Sequence, residues 1–219
     1  MSVLQALTPE KALIFRITHR NNVPWILDNG LWSANTDQKD PSFVPIGHPG
    51  LIVDRTTRSV PVPPYGTLSD YVPFYFTPYS PMLLNIFTGR GVQQRSKAEL
   101  VVLVSSLHEV ARAGCQFLFT DRHAYLGYVT AKNFSSDLND LPSMVPWVWL
   151  RSRDFKPDPE QPDKKERYQA EALVYQHLPV SALKGIVTYN DNEAAAVQAA
   201  LDQRGLDIAV YKRPGWFFP

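Results

Sequence analysis

The 219-residue chain has one cysteine, Cys115, so an intramolecular disulfide is excluded. Its five histidines (His19, His48, His108, His123, His177) are scattered, with no HxxxH or HxxEH, which argues against a structural zinc site and for no metal. No apolar run approaches the roughly 18 residues of a membrane span. The start, MSVLQALTPEKAL, lacks the basic and apolar regions of a secretory signal, so the expectation is a reduced, cytoplasmic protein with no membrane partner. Charge of one sign is also scarce. The 22 Lys+Arg and 21 Asp+Glu leave +1, which excludes a globally basic nucleic-acid binder but leaves room for a local basic patch. There is no GxGxxG after a strand, no Walker loop and no GxSxG, so the common dinucleotide, nucleoside-triphosphate and hydrolase readings have no support.

What is present is enough apolar residue, 44%, for a real core, and a length that suits one domain over residues 1–219. The 19 prolines against 11 glycines predict rigid turns and short elements. ALIFRIT (12–18) reads as a buried strand, and Asn22, Pro24 and Gly30 bracket a short helix. Residues 33–70 read as loop, and a loop that long in a compact domain is functional or disordered. YVPFYF (71–76) is an aromatic strand, Ser80-Pro81 open a helix that Gly89 ends, and ELVVLVSS (99–106) suits a central strand buried on both faces. Ser106 and Glu109 form a capping box for the next helix. Strands follow at 115–121, 170–176, 185–189 and 207–212, with helices at 179–183 and 191–204. Residues 124–150 stay open between irregular packing and short helices, and 155–169, with three prolines, reads as an exposed loop. The class is α+β, with a mixed or largely antiparallel sheet.

Several polar residues are tied to apolar strands. Arg16 and His19 lie on the first strand, where most such groups satisfy nearby backbone. Arg55 suits bidentate phosphate or carboxylate binding, although a loop arginine is more often a solvated charge. In FTDRHAY (119–125), strand alternation would put Asp121 and His123 on one face and Arg122 on the other; the alternative is a salt-bridged turn. Glu171 opens an apolar strand, where an unpaired carboxylate is costly, and perturbed carboxylates concentrate at sites. Between Asp54 and Ala98 five basic residues (Arg55, Arg58, Arg90, Arg95, Lys97) outnumber two acidic ones and are interleaved with aromatics, a pattern that suits single-stranded nucleic acid.

RITHRNNVPWILDNGL, the arginine segment before VPVPPYGTLSDYVPFYFTPYSPML, FTDRHAY and ERYQAEALVYQHLP occur in an order that resembles the DarT family, the toxins of DarT–DarG toxin–antitoxin systems. The resemblance runs from about residue 13 to 217 and implies an ADP-ribosyltransferase fold, with a split, mixed or antiparallel central sheet surrounded by helices. It implies transfer of ADP-ribose from NAD+ as co-substrate to a base in single-stranded DNA, most closely thymine N3, with a DarG-like macrodomain antitoxin as partner. It also implies roles for residues. Glu171 and Arg55 match catalytic positions. Thr18, His19, Asn22, Tyr71, Tyr75 and Met82 match segments that bind NAD+, and His123 sits beside the DNA or the reacting base. The loop 155–169 matches a substrate-recognition loop, making Lys164, Lys165 and Arg167 candidates for DNA contact, while Arg90 and Arg95 are candidates from the basic loop. No role carries onto Arg16, and the resemblance is poor over 33–50. Guanine, RNA or protein acceptors, or a non-catalytic single-stranded DNA-binding module, are the competing readings.

Overall fold

The structure, a computed structural model, describes residues 3–218. Ten strands are described: β1 Leu13–His19, β2 Leu31–Trp32, β3 Tyr71–Tyr75, β4 Leu100–Ser106, β5 Phe117–Thr120, β6 Phe134–Ser135, β7 Glu171–Tyr175, β8 His177–Leu178, β9 Gly185–Thr188 and β10 Ala209–Lys212. Nine α-helices are described with them: α1 Val3–Ala6, α2 Val23–Asn29, α3 Pro49–Arg55, α4 Pro81–Thr88, α5 Leu107–Arg112, α6 Leu141–Met144, α7 Trp147–Ser152, α8 Lys164–Arg167 and α9 Asp191–Asp202. Eight strands form one sheet in the order β10-β9-β4-β1-β3-β7-β5-β6, and β2 pairs with β8 separately. Among the described residues, only the β9–β10 pair is parallel.

Local chemistry explains the main elements. All seven residues of β4 are buried, because it lies between β1 and β9 with both faces covered. At α4 the Ser80 hydroxyl accepts the Leu83 N–H, Pro81 occupies the first turn, and Gly89 ends the helix at φ +69°. Ser106 caps α5 through the Glu109 N–H, but the reciprocal half of the expected capping box is absent. Glu109 pairs with Arg112 and with Lys184, the latter at 3.0 Å.

The sheet is split at β1–β3. These strands share a single register pair, Phe15↔Tyr75, whereas β3 pairs with β7 along its full length. Pro73 takes one N–H out of β3. The Arg16 guanidinium donates to the Pro73 carbonyl at 2.8 Å, so a side chain stands where a ladder bond would be. A cleft opens at this split.

Three sequence expectations change. The segment 33–70 contains a helix, α3, so Arg55 ends a helix rather than sitting in a loop. Strand β5 stops at Thr120, so Asp121–His123 lies in a turn to which alternation does not apply, and Arg122 pairs with Asp121 at 3.1 Å. The loop 155–169 holds the short helix α8. The open region 124–150 contains β6, α6 and α7. Leu103, fully buried on β4, reports on this frame: Leu103→Ala is expected to cost about 2–5 kcal/mol, read from the denaturant midpoint.

Candidate active site

Glu171 is the first residue of β7, opposite Tyr75 on β3. Its N–H donates to the Thr120 hydroxyl at 3.0 Å, which fixes the strand entry against β5. The side chain is 3% exposed and has three partners. Arg55 Nη1 donates to Oε2 at 3.0 Å, the Ala124 N–H donates to Oε1 at 3.1 Å, and His123 Nδ1 lies 3.1 Å from Oε1. Burial opposes ionisation of this carboxyl, yet the charge of Arg55, the contact with His123 and the Ala124 N–H outweigh it and pull it down to about 2. Arg55 is itself only partly committed. Its Nη2 is buried with no hydrogen-bond partner, leaving a strong donor for an acceptor from outside.

These groups lie at one side of a cleft of about 430 Å³. Thr18, Asn22, Tyr71, Tyr75 and Met82 line it with Arg55, His123 and Glu171, as the resemblance implies. Their hydrogen bonds qualify some of the expected roles. The Asn22 amide donates to Thr18 Oγ1 and to the Val44 carbonyl, and its oxygen accepts the Val44 N–H, so Asn22 anchors the segment around Val44 from beneath. The Tyr75 hydroxyl points to Met82 Sδ at 3.8 Å, and that of Tyr71 donates to the Tyr65 carbonyl. Burial raises the pKa of both phenols, which keeps them as neutral walls.

Other expected residues are elsewhere. His19 does not line the cleft. The two-residue period of β1 sends it to the face opposite Thr18, where Nδ1 accepts the Asn21 N–H and Nε2 is 3.6 Å from Glu99. Burial lowers its pKa although Glu99 opposes the shift. Lys164 is buried, with Nζ 2.6 Å from Asp154, so it ties its own loop together. Arg167 lies 4.8 Å over the Trp149 ring and is packed against it. Arg95 is tied to Gln93 and Glu99. Arg90 and Lys165 are exposed, Arg90 in the loop after α4 and Lys165 on α8.

Two features escaped the sequence reading. Arg16 lines the cleft, and its guanidinium is drawn down to about 10 by burial and by the nearby Arg55 charge. An arginine inside an apolar strand was the available signal. The segment 33–50, to which no role was given, supplies much of one wall, including Phe43 and His48. Its loop-like composition hid that. The arrangement as a whole offers a fixed anionic oxygen pair, two guanidiniums and aromatic walls, which suits an anionic, ring-bearing substrate that develops positive charge on reacting.

A family model described as ssDNA thymidine ADP-ribosyltransferase, DarT, matches residues 15–218. A DNA ADP-ribosyl transferase of Escherichia coli O127:H6 is 49% identical over 214 residues, covering 97% of this chain and 96% of its own. The solved Thermus sp. 2.9 DarT in complex with ADP-ribosylated ssDNA superposes with a TM-score of 0.86 at 33% identity, covering 96% of this chain and 98% of that one. The same Thermus protein in complex with NAD+ gives 0.81 at 33% identity, covering 96% and 99%.

The low pKa of Glu171 has a consequence for stability. Unfolding returns the carboxyl from about 2 to its ordinary value near 4.5, so the unfolded chain takes up the proton first as pH falls. The stabilisation from ionised Glu171 is complete above about pH 4.5 and is lost as pH drops toward 2. Melting temperature followed from pH 6 to pH 2 should therefore fall more steeply for the native chain than for Glu171→Gln.

Proposed function

The chain belongs to the DarT family and is an NAD-dependent DNA mono-ADP-ribosyltransferase, and from that premise we propose that it modifies thymine in single-stranded DNA through Glu171 and Arg55. The observation that carries this reading is the buried Arg55–Glu171 pair with a free Arg55 Nη2 at the cleft wall. Nicotinamide leaves when the bond between its ring nitrogen and ribose C1′ breaks, and it takes the bonding electrons. Positive charge then develops on the ribose. Glu171, held ionised by its neighbours, stabilises that oxocarbenium-like state. Thymine N3 attacks C1′ and gives up its proton. The ionised Glu171 carboxylate also accepts the N3 proton as the C1′–N3 bond forms and passes it to solvent, so the products are nicotinamide, the modified base and one proton.

Arg55 suits either the pyrophosphate or the carbonyl of the base, since its unpartnered nitrogen faces no protein acceptor. Arg16, Thr18, Tyr71, Tyr75 and Met82 fit the side of the cleft that would take NAD+. His123, in the turn after β5, fits the side where the base arrives, and exposed Arg90 and Lys165 are suited to phosphates of the strand. Asn22 is assigned to holding the cleft wall in place of direct NAD+ contact. The reading includes reversal by a DarG-like macrodomain antitoxin and a cytoplasmic location, where NAD+ and DNA meet.

Incubation with NAD+ and short single strands should add one ADP-ribose to thymine-containing oligonucleotides, seen by mass, and none to strands lacking thymine. Modification of guanine-only strands would transfer the activity to the other base. Glu171→Ala should lower transfer at least about 1,000-fold, the scale seen when a charge-stabilising group is removed, while fluorescence anisotropy shows DNA binding retained. Full activity in that variant would remove Glu171 from the mechanism.

A further inference from the structure

Helix α3 ends at Arg55, yet none of its residues is buried. Ile52 and Val53 are 43% and 65% exposed. No apolar seat therefore sets where Arg55 stands, and polar contacts must do it. Two of these come from residues that flank Arg55. The Tyr125 hydroxyl donates to Asp54 Oδ2 at 2.9 Å. Arg58 Nη2 donates to the Leu126 carbonyl at 2.6 Å and to that of Val129 at 3.3 Å. All three partners lie just beyond His123 and Ala124, the other two residues that touch the Glu171 carboxylate. The segment carrying the arginine and the segment carrying the histidine are thus clasped directly to each other across the carboxylate.

We infer that Tyr125, Asp54 and Arg58 are positioning residues, which set Arg55 on Glu171 by clasping α3 to the turn that follows β5. The inference rests on the catalytic reading of Arg55 and Glu171. The loop side of the clasp is packed: Ala124 and Val129 are buried, and Tyr125 packs against the cluster that holds them with Val60 and Leu68. The α3 side is held further away by Asn22 on Val44 and by the Leu68 N–H on the Arg58 carbonyl. Loss of the clasp would leave α3 attached at its two ends but loose at Arg55. The expected deficit is in the reacting geometry, because the groups that line the rest of the cleft stay in place.

Tyr125→Phe is the test, since it removes one hydroxyl and keeps the packed ring. It should lower kcat for transfer to single-stranded DNA about 10-fold while KM for NAD+ moves less than about 2-fold. Hydrogen exchange should speed at least about 10-fold at the amides of residues 51–58 and stay unchanged in β4 and β7. Asp54→Ala, which removes the acceptor, should reproduce both effects, and the double variant should be no worse than either single one, because the pair acts as a unit. A native kcat overturns the inference, and so does a lowered kcat with residues 51–58 protected as before, which would put Tyr125 on the substrate. Activity retained by Glu171→Gln would instead defeat the catalytic reading, and the exchange measurement would still report on the clasp.

Discussion

The Glu171 carboxylate is buried, and the site is arranged to keep it ionised. A lone carboxylate there would take up a proton, because the cost of a charge out of water is several kcal/mol. Three parts of the chain supply the compensation: the end of α3 through Arg55, the turn after β5 through His123 and Ala124, and β5 itself through Thr120, which holds the backbone of Glu171. Arg55 and the β5 segment are both distant from Glu171 in sequence. The ion pair alone joins residues 116 apart. A buried pair of this kind is a poor source of net stability, since desolvation offsets much of the attraction. In the proposed reaction its value is a negative charge at a defined place in a low-dielectric wall, available as ribose charge develops.

The same pair sets a condition on the reaction. In the resting site Arg55 uses one nitrogen on Glu171 and leaves Nη2 unsatisfied. A buried guanidinium nitrogen without a partner is destabilising, so an acceptor brought in by substrate gains more there than it would at the surface. The split between β1 and β3 provides the space. Pro73 and the Arg16 side chain hold the two halves of the sheet together at one carbonyl, and the cleft opens beside that joint. Arg16 therefore serves twice, once as a substitute for a ladder bond and once as a positive wall facing the same cleft.

Much of this frame was legible in the sequence because it is written in local chemistry. The continuous apolar run of β4, the cap and stop residues of α4 and the apolar strand opened by Glu171 each gave a correct element. The family resemblance then tied Glu171, Arg55 and His123 together, which periodicity could not do, since their contacts are non-local. What was not legible has several causes. Lys164 and Arg167, taken as candidates for DNA contact from a matched loop, and Arg95, taken from a basic stretch, each have an internal partner that sequence order does not reveal. His19 was read from its place in a motif, while the two-residue period of its strand already pointed it away from Thr18. Helix α3 was hidden because its residues are held by polar contacts and bury no face, so no amphipathic pattern could mark it.

That internal use of cations also explains how a chain with a net charge of +1 can work on DNA. Within the basic stretch, Arg55 serves Glu171, Arg58 serves two carbonyls, Arg95 serves Glu99, and Lys97 donates to the Phe218 carbonyl. Arg122, Lys164 and Arg167 are likewise engaged by Asp121, Asp154 and the Trp149 ring. The apparent basic patch is therefore mostly scaffolding, and few of its charges remain to neutralise phosphates. Counterion release scales with the number of phosphates neutralised, so binding built this way has a shallow salt dependence. In the proposed reaction the affinity then comes mostly from the base itself, on the His123 side of the cleft. A site that grips the reacting nucleotide rather than a length of backbone suits a single strand, because an unpaired base is free to enter the cleft without the energy of breaking a pair.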